Sequence, residues 1–308
     1  MTVELSVIIC SHNPRMEYLT RVLTALADQT LPNDRWELLL VDNRSDEPLA
    51  AKVDLQWQPN ARHVREERLG LTPARLAGIH AAQSGMLVFV DDDNILESDY
   101  LESALAIANK WPILGAWGGE IKPQFECEPP DWTRKYWPLL AIRQLDGDRW
   151  SNLKDHMETT PCGAGMCVRR EVATHYAAMV DADFMRLSLD RIGSDLSSCG
   201  DTDLALVAYD MGLGTGLFKS LQITHIIPAG RLEEAYLLRL VRGIAYSGLL
   251  LRGLRGMKLN WAPPGRSHRL LNFYISLRLN ARERRFNHAV DAGKKAALHE
   301  ISLFTRNP

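Results

Sequence analysis

The chain has 308 residues, 46% hydrophobic and 24% charged, with a formal net charge of −2, the profile of an ordinary globular protein. No run approaches the roughly 18 consecutive apolar residues of a membrane span, and the opening "MTVELSVIIC" has no basic stretch ahead of its apolar one, so no secretory signal is predicted. Five scattered cysteines (Cys10, Cys127, Cys162, Cys167 and Cys199) suit a reducing cytoplasm better than a disulfide framework.

The small net charge conceals an asymmetry. Residues 1–230 hold 21 Lys and Arg against 33 Asp and Glu, a net of −12, whereas residues 231–308 hold 15 against 5, a net of +10. An acidic body carrying a basic tail implies two tasks or two partners.

"LSVIIC" (5–10) is a short apolar run ending at the polar turn Ser11-His12-Asn13-Pro14. From Met16 apolar residues recur at helical spacing (Leu19, Val22, Leu23, Leu26), and "ELLLVD" then ends at Asp42. Continuous apolar runs without alternation predict strands buried on both faces, as in a parallel sheet; with the helix between them they make a βαβ unit. Thr72-Pro73 predicts the start of a second helix, with threonine as its cap, running to about Ser84 and stopped by Gly85. A third buried strand, Met86–Val90, follows, and the triplet Asp91-Asp92-Asp93 lies at its carboxyl end. Ligands of open α/β sheets bind beyond the carboxyl ends of the strands, so Asn13, Asp42 and the triplet are expected to face one crevice. After Pro112 the sequence turns irregular and tryptophan-rich, as inserted binding loops are. "DTDLALVAYDMG" predicts a helix ending at Gly212, and two long helices are predicted over about 231–255 and 266–287, separated by "WAPPG".

Three adjacent carboxylates repel unless something positive sits among them. An EF-hand loop fails, because Leu96 stands where that loop needs glycine. Capping of a helix starting near Leu96 would use only one of the three. A divalent-cation site accounts for the group: Mg²⁺ or Mn²⁺ prefers carboxylate oxygens, keeps several waters and is completed by substrate phosphates.

The ordered stretches "LSVIICSHNP", "LLLVDNRSDE", "RLGLTPARLAGIHAAQSGMLVFVDDDN", "PCGAGMCVRREV", "CGDTDLALVAYDMG" and "THIIP" together resemble the family 2 nucleotide-sugar glycosyltransferases over about residues 4–228. The resemblance implies an α/β glycosyltransferase-A fold, with a mostly parallel central sheet flanked by helices, over residues 1–230. Residues 231–308 would form a basic helical extension. It further implies that Cys10, Ser11, His12, Asn13 and Asp42 cradle the nucleobase and ribose and that Arg75 sits by the base or diphosphate. Asp91 and Asp93 match the Asp-x-Asp motif, with Asp91 or Asp92 meeting the ribose and Asp93 and Asp91 the metal. Asp201 matches the general base and His225 a third metal ligand, although a buried structural histidine reads equally well there. Gly163, Ala164 and Gly165 are expected beside the acceptor. Asp203 is read either as an acceptor contact or as a first-turn residue complementing the helix dipole. The chain departs from the family pattern at Cys10-Ser11-His12-Asn13, where Pro-Thr-Tyr-Asn is common, and at Gly200-Asp201, where Glu-Asp is usual.

The implied activity is a metal-dependent, inverting, non-processive hexosyl transfer from a nucleoside-diphosphate sugar, with UDP as the default nucleotide. The acceptor would be a glycan or a lipid-linked hydroxyl in bacterial polysaccharide or glycoconjugate biosynthesis. A nucleotidyltransferase of similar architecture normally carries a glycine-rich loop after its first strand, and "SHNPRMEY" has no glycine. A non-catalytic sugar-nucleotide-binding or scaffolding protein would lack the base, yet Asp201 is present. No recognised nucleic-acid module backs the basic tail. The tail is left with three roles: contact with the inner face of the cell membrane by a cytoplasmic enzyme, packing against the acidic body, or a homodimer interface.

Overall fold

The computed structural model describes residues 3–304 except 155–156, 194, 260 and 262–277. Its centre is one sheet. Strands β1 (Leu5–Ser11), β2 (Trp36–Asn43), β3 (Ala61–Glu66) and β4 (Met86–Asp91) run parallel in the order β3-β2-β1-β4. Beyond β4 the sheet becomes mixed. The short β8 (Cys167–Arg169) pairs antiparallel with both β4 and β6 (Leu114–Phe125). β6 lies parallel to β9 (Gly214–Ile227), and β5 (Asn94–Leu96) and β7 (Arg149–Ser151) pair antiparallel with β9.

The apolar runs are continuous because both faces of the sheet are covered. Side chains alternate between faces along a strand, so Leu5, Val7 and Ile9 join one core with α1 (Met16–Ala27) and α3 (Tyr100–Lys110). Ile8 turns to the opposite core, shared with α2 (Leu71–Ala81), α4 (Arg170–Ala182) and α5 (Gly200–Asp210). Each such side chain contributes roughly 1.5–3 kcal/mol by leaving water. The register sets Cys10 beside Asp91, so the carboxyl ends of β1 and β4 open onto the same space.

The α2 boundary differs from expectation. The helix begins at Leu71 after Gly70 and has no side-chain cap; Thr72 lies inside it and faces Asp190 Oδ2 at 3.4 Å. The helix after the triplet begins at Tyr100, not near Leu96, so none of the three carboxylates caps it. The stretch after Pro112 holds the twelve-residue strand β6. Its glycines permit contact with β9: a Cβ on Gly119 would lie 1.8 Å from the Leu221 carbonyl oxygen, and the β6–β9 register shifts between Gly119 and Glu120.

Of the two helices expected in the tail, the first is α6 (Glu234–Leu254). The second, expected over 266–287, falls largely outside the described residues; the described helix there is α7 (Ala281–Phe304). The two helices join two apolar clusters with the body. Leu237, Leu240 and Phe286 meet Tyr136, Leu140 and Ile227, while Leu249, Leu250 and Ala297 meet Leu189, Leu206 and Tyr209. No described helix is long and apolar enough to cross a membrane.

Candidate active site

A cavity of about 280 Å³ opens at the carboxyl ends of β1 and β4, near the lower end of ligand-pocket sizes. Its wall includes Cys10, Ser11 and His12 from the end of β1, and Arg75 from α2. The triplet Asp91–Asp93, Gly163, Ala164, Asp201 and His225 complete the set of expected residues that line it. α6 adds Tyr236 and Leu240, so the basic tail forms part of the wall.

The triplet is not uniform. The Ser11 hydroxyl donates to Asp92. Burial, reinforced by the neighbouring Asp93, pushes the Asp92 carboxyl up to about 7 and also raises that of Asp91. Asp93 goes the other way: burial opposes its charge, yet the Arg231 guanidinium against it holds its carboxyl below the usual range. The Arg231 Nη2 lies 2.8 Å from Asp93 Oδ2, and the His225 Nε2 lies 3.5 Å from the same oxygen. Arg231 Nη1 is 2.9 Å from His225 Nε2. A guanidinium has no acceptor, so this imidazole nitrogen accepts and Nδ1 carries the proton. Nδ1 is buried and has no hydrogen-bond partner among the described residues.

Across the cavity wall, Asp201 is held by main chain. Its Oδ2 accepts from the Gly163 amide and its Oδ1 from the Thr202 amide, each at 2.6 Å. A Cβ on Gly163 would lie 2.5 Å from Arg75 Nη2 and 3.3 Å from Asp201 Oδ2, so a side chain there would have to displace the Arg75 guanidinium. Arg75 is buried and paired with the buried Asp190 at 2.6 Å. Burial pushes the Asp190 carboxyl up, against the pull of Arg75.

Four expected site residues do not line the cavity. Asp42 braces the loop after β2: its carboxylate accepts from the Ser45 and Leu49 amides at 2.9 and 3.0 Å and meets Arg65 at 2.6 Å. Burial opposes this charge, but those donors keep its carboxyl below the usual range. Asn13, at a left-handed φ of 47°, exchanges hydrogen bonds with Asp46 and so ties the loops after β1 and β2 together. Asn43, not singled out from the sequence, lines the cavity instead. Gly165 adopts φ 71° behind the wall, and its carbonyl accepts from Tyr100.

Asp203 is the clearest correction. It is fully buried, and its two oxygens meet Arg186 Nη1 at 2.5 Å and Arg255 Nε at 2.6 Å. A carboxylate so engaged has no face left for an acceptor. Arg255 also meets Asp210 at 2.8 Å, so part of the tail's positive charge is spent on the acidic body. None of Trp117, Trp132, Trp137 and Trp150 lines the cavity.

Reasoning from sequence missed Asp190 and Arg231. A buried arginine requires an anionic partner, which signals that some acid must pair with Arg75 but not which one. Nothing local marks Arg231 apart from other tail arginines.

The model of glycosyl transferase family 2 matches residues 6–174, more than half of the chain and the part that builds β1 to β4 and the triplet. The chain belongs to this family. Among curated relatives, it is 28% identical over 109 residues to the putative glycosyltransferase EpsH of Bacillus subtilis (strain 168), covering 35% of this chain and 31% of that one. It is 29% identical over 104 residues to glycosyltransferase AglE of Haloferax volcanii, covering 33% and 34%. The chain thus spans about a third of the length of these relatives. Among solved structures, Staphylococcus aureus TarS 1–349 in complex with UDP-GlcNAc superposes with a TM-score of 0.52 at 16% identity, over 97% of this chain and 83% of that one. GalNAc-T7 with UDP, GalNAc and Mn²⁺ gives 0.52 at 17%, over 89% and 55%. At such identities the likeness is one of fold. The chain has a glycosyltransferase-A-type α/β fold with a C-terminal helical part.

Proposed function

We propose that this enzyme transfers a sugar from a nucleoside-diphosphate sugar to an acceptor hydroxyl, non-processively, with inversion and with a divalent cation. The observation that carries this reading is the one cavity onto which the acidic triplet, His225 and Asp201 all open. UDP is the default nucleotide, since TarS was solved with UDP-GlcNAc and GalNAc-T7 with UDP. Residues 1–230 act as the catalytic domain and 231–308 as its helical extension.

The donor set fits a hard or borderline cation. Asp93 and His225 bring a carboxylate oxygen and an imidazole nitrogen to within 3.5 Å of each other, a ligand pair that suits Mn²⁺ or Mg²⁺. Among the described residues, no three His, Cys, Asp or Glu stand close enough to hold a metal by themselves, so diphosphate and water oxygens would complete the shell, with Asp91 nearby. When bound, the cation supplies Lewis-acid stabilisation of the negative charge that grows on the leaving diphosphate.

Asp201 accepts the proton of the acceptor hydroxyl as its oxygen bonds to the anomeric carbon. The glycosidic electron pair leaves with the nucleoside diphosphate, and one displacement inverts that centre. A single carboxylate suffices, where hydrolases need two. The Gly163 amide orients Asp201, and Gly163 and Ala164 border the acceptor. Ser11, His12 and Asn43 lie on the nucleoside side, with Asp91 or Asp92 toward the ribose. Arg75, held by Asp190, keeps a fixed positive charge near the diphosphate.

For the tail, the pairing of Arg255 with Asp203 and Asp210 supports packing on the body, with the enzyme in the cytoplasm and a glycan or lipid-linked acceptor. Salt-sensitive co-sedimentation with anionic but not neutral liposomes would replace this with attachment to the membrane surface; a dimer dissolved by truncation near residue 230 would make the tail an interface. Incubation with a panel of sugar nucleotides and Mn²⁺, followed by assay of the nucleoside diphosphate released, tests the activity. No acceptor-dependent release from any donor would sink it.

A further inference from the structure

Asp93 and His225 are locked to each other through the main chain. The β5–β9 pairing sets Asn94 opposite His225, and the Ile226 amide donates to the Asp93 carbonyl at 2.9 Å. That pairing holds their main chains side by side. Arg231 is attached differently. It projects from a single 3₁₀ turn, Ala229–Leu232, outside the sheet, and its side chain stays 22% exposed.

From that turn the guanidinium reaches both groups, at 2.8 Å from Asp93 Oδ2 and 2.9 Å from His225 Nε2. It therefore uses the carboxylate oxygen and the imidazole lone pair through which the same residues would grip a cation. The Nε2 lone pair serves one electrophile at a time, a guanidinium N–H or a metal. A long, rotatable side chain from a turn can leave; the main chains of Asp93, next to β5, and His225, on β9, stay paired.

We propose that Arg231 is an internal cation that fills the metal position of the donor-free enzyme and swings out when a divalent cation binds. The inference rests on the reading of Asp93 and His225 as metal ligands. Displacing Arg231 breaks a largely buried ion pair, so a metal ion alone gains little. A diphosphate entering the cavity offers the guanidinium another anion. Cation and nucleoside diphosphate thus bind as coupled events, each raising the affinity for the other.

The test follows free Mn²⁺ by electron paramagnetic resonance during titration into the full chain, without nucleotide and with saturating UDP. The same titrations are made on Arg231→Gln and Arg231→Lys, with a thermal melt to confirm folding. Without UDP, Arg231→Gln should bind Mn²⁺ about tenfold or more tightly than the original protein, and UDP should enhance its Mn²⁺ affinity correspondingly less. Arg231→Lys retains the charge but lacks the guanidinium's rigid fork and should fall between; it carries the test if the glutamine variant does not fold. Equal Mn²⁺ affinity in the original protein and the variants without UDP, or weaker binding by the variants, would overturn the proposal while leaving the metal site standing. Failure of every form to bind Mn²⁺, with or without UDP, would remove the metal reading and this inference with it.

Discussion

Asp203 and Asp93 are both buried carboxylates that face guanidinium groups, yet they sit in regions of opposite character. Asp203 lies sealed between α5 and the tail, with Arg186 on one oxygen and Arg255 on the other. Asp93 shares one arginine and one imidazole at the wall of a cavity. Asp92, its neighbour, accepts from the Ser11 hydroxyl and feels Arg231 only at a distance among the described residues. The series teaches that a buried acid is read by what neutralises it. Full neutralisation by fixed arginines makes a structural joint; partial neutralisation beside open space leaves capacity for a ligand.

The largest expected effect is structural. Asp203→Ala leaves Arg186 and Arg255 uncompensated in the interior, and breaking such a pair costs about 3–5 kcal/mol. Urea unfolding should show that loss, while the specific activity of the folded fraction stays near its original level. If activity falls with stability unchanged, Asp203 belongs to the site after all and the contrast with Asp93 collapses.

Asp201→Asn is the converse. The amide keeps the shape but cannot take a proton, so transfer should drop roughly 10²-fold or more, with donor affinity and melting temperature little changed. Transfer at the original rate would show that Asp201 is not the base.

Next comes Asp93→Ala. Calorimetric titration of UDP into the original protein should show tighter binding with Mn²⁺ than with chelator, by about tenfold, or about 1.4 kcal/mol. The variant should bind equally under both conditions. A variant that keeps the Mn²⁺ dependence would move the cation away from Asp93.

Which parts of this arrangement are legible in the sequence follows from the range of the interactions. β1, β2 and β4 show as uninterrupted apolar runs because both of their faces are buried, whichever elements cover them. β6 does not, because Gly118 and Gly119 answer to Pro161 and Leu221, residues that sequence order does not bring near. β3 is half-exposed and alternates, too weak a pattern to stand out beside its neighbours. In the site, the triplet and Asp201 stand in stretches that resemble motifs of the family, whereas the partners that decide their charge, Arg231 and Asp190, come from turns without a pattern. Asp203 could have been sorted. Two positions apart on a helix of 3.6 residues per turn means about 200°, so Asp201 and Asp203 must face opposite ways, and only one of them can open on the cavity.

The smallest effect probes the bare end of the series. Because burial lifts the Asp92 carboxyl to about 7 in the folded protein, against about 3.9 in an unfolded chain, the folded state holds a proton that the unfolded state has released between those values. Stability from this group is therefore complete below about pH 4 and declines as pH rises towards 7. Asp92→Asn keeps an acceptor for Ser11 and carries no charge at any pH. In chelator, so that no cation neutralises the cluster, the variant should melt a few degrees above the original protein at pH 8 and at the same temperature at pH 4. The half-buried position and the nearby Arg231 keep the effect small. Asp93→Asn should move the opposite way, losing stability at pH 8, because its carboxyl is held low by Arg231 and removal of the charge strands the guanidinium. Should both variants shift in the same direction, the two acids would share one environment, and the distinction between a neutralised and a bare carboxylate within the triplet would fail.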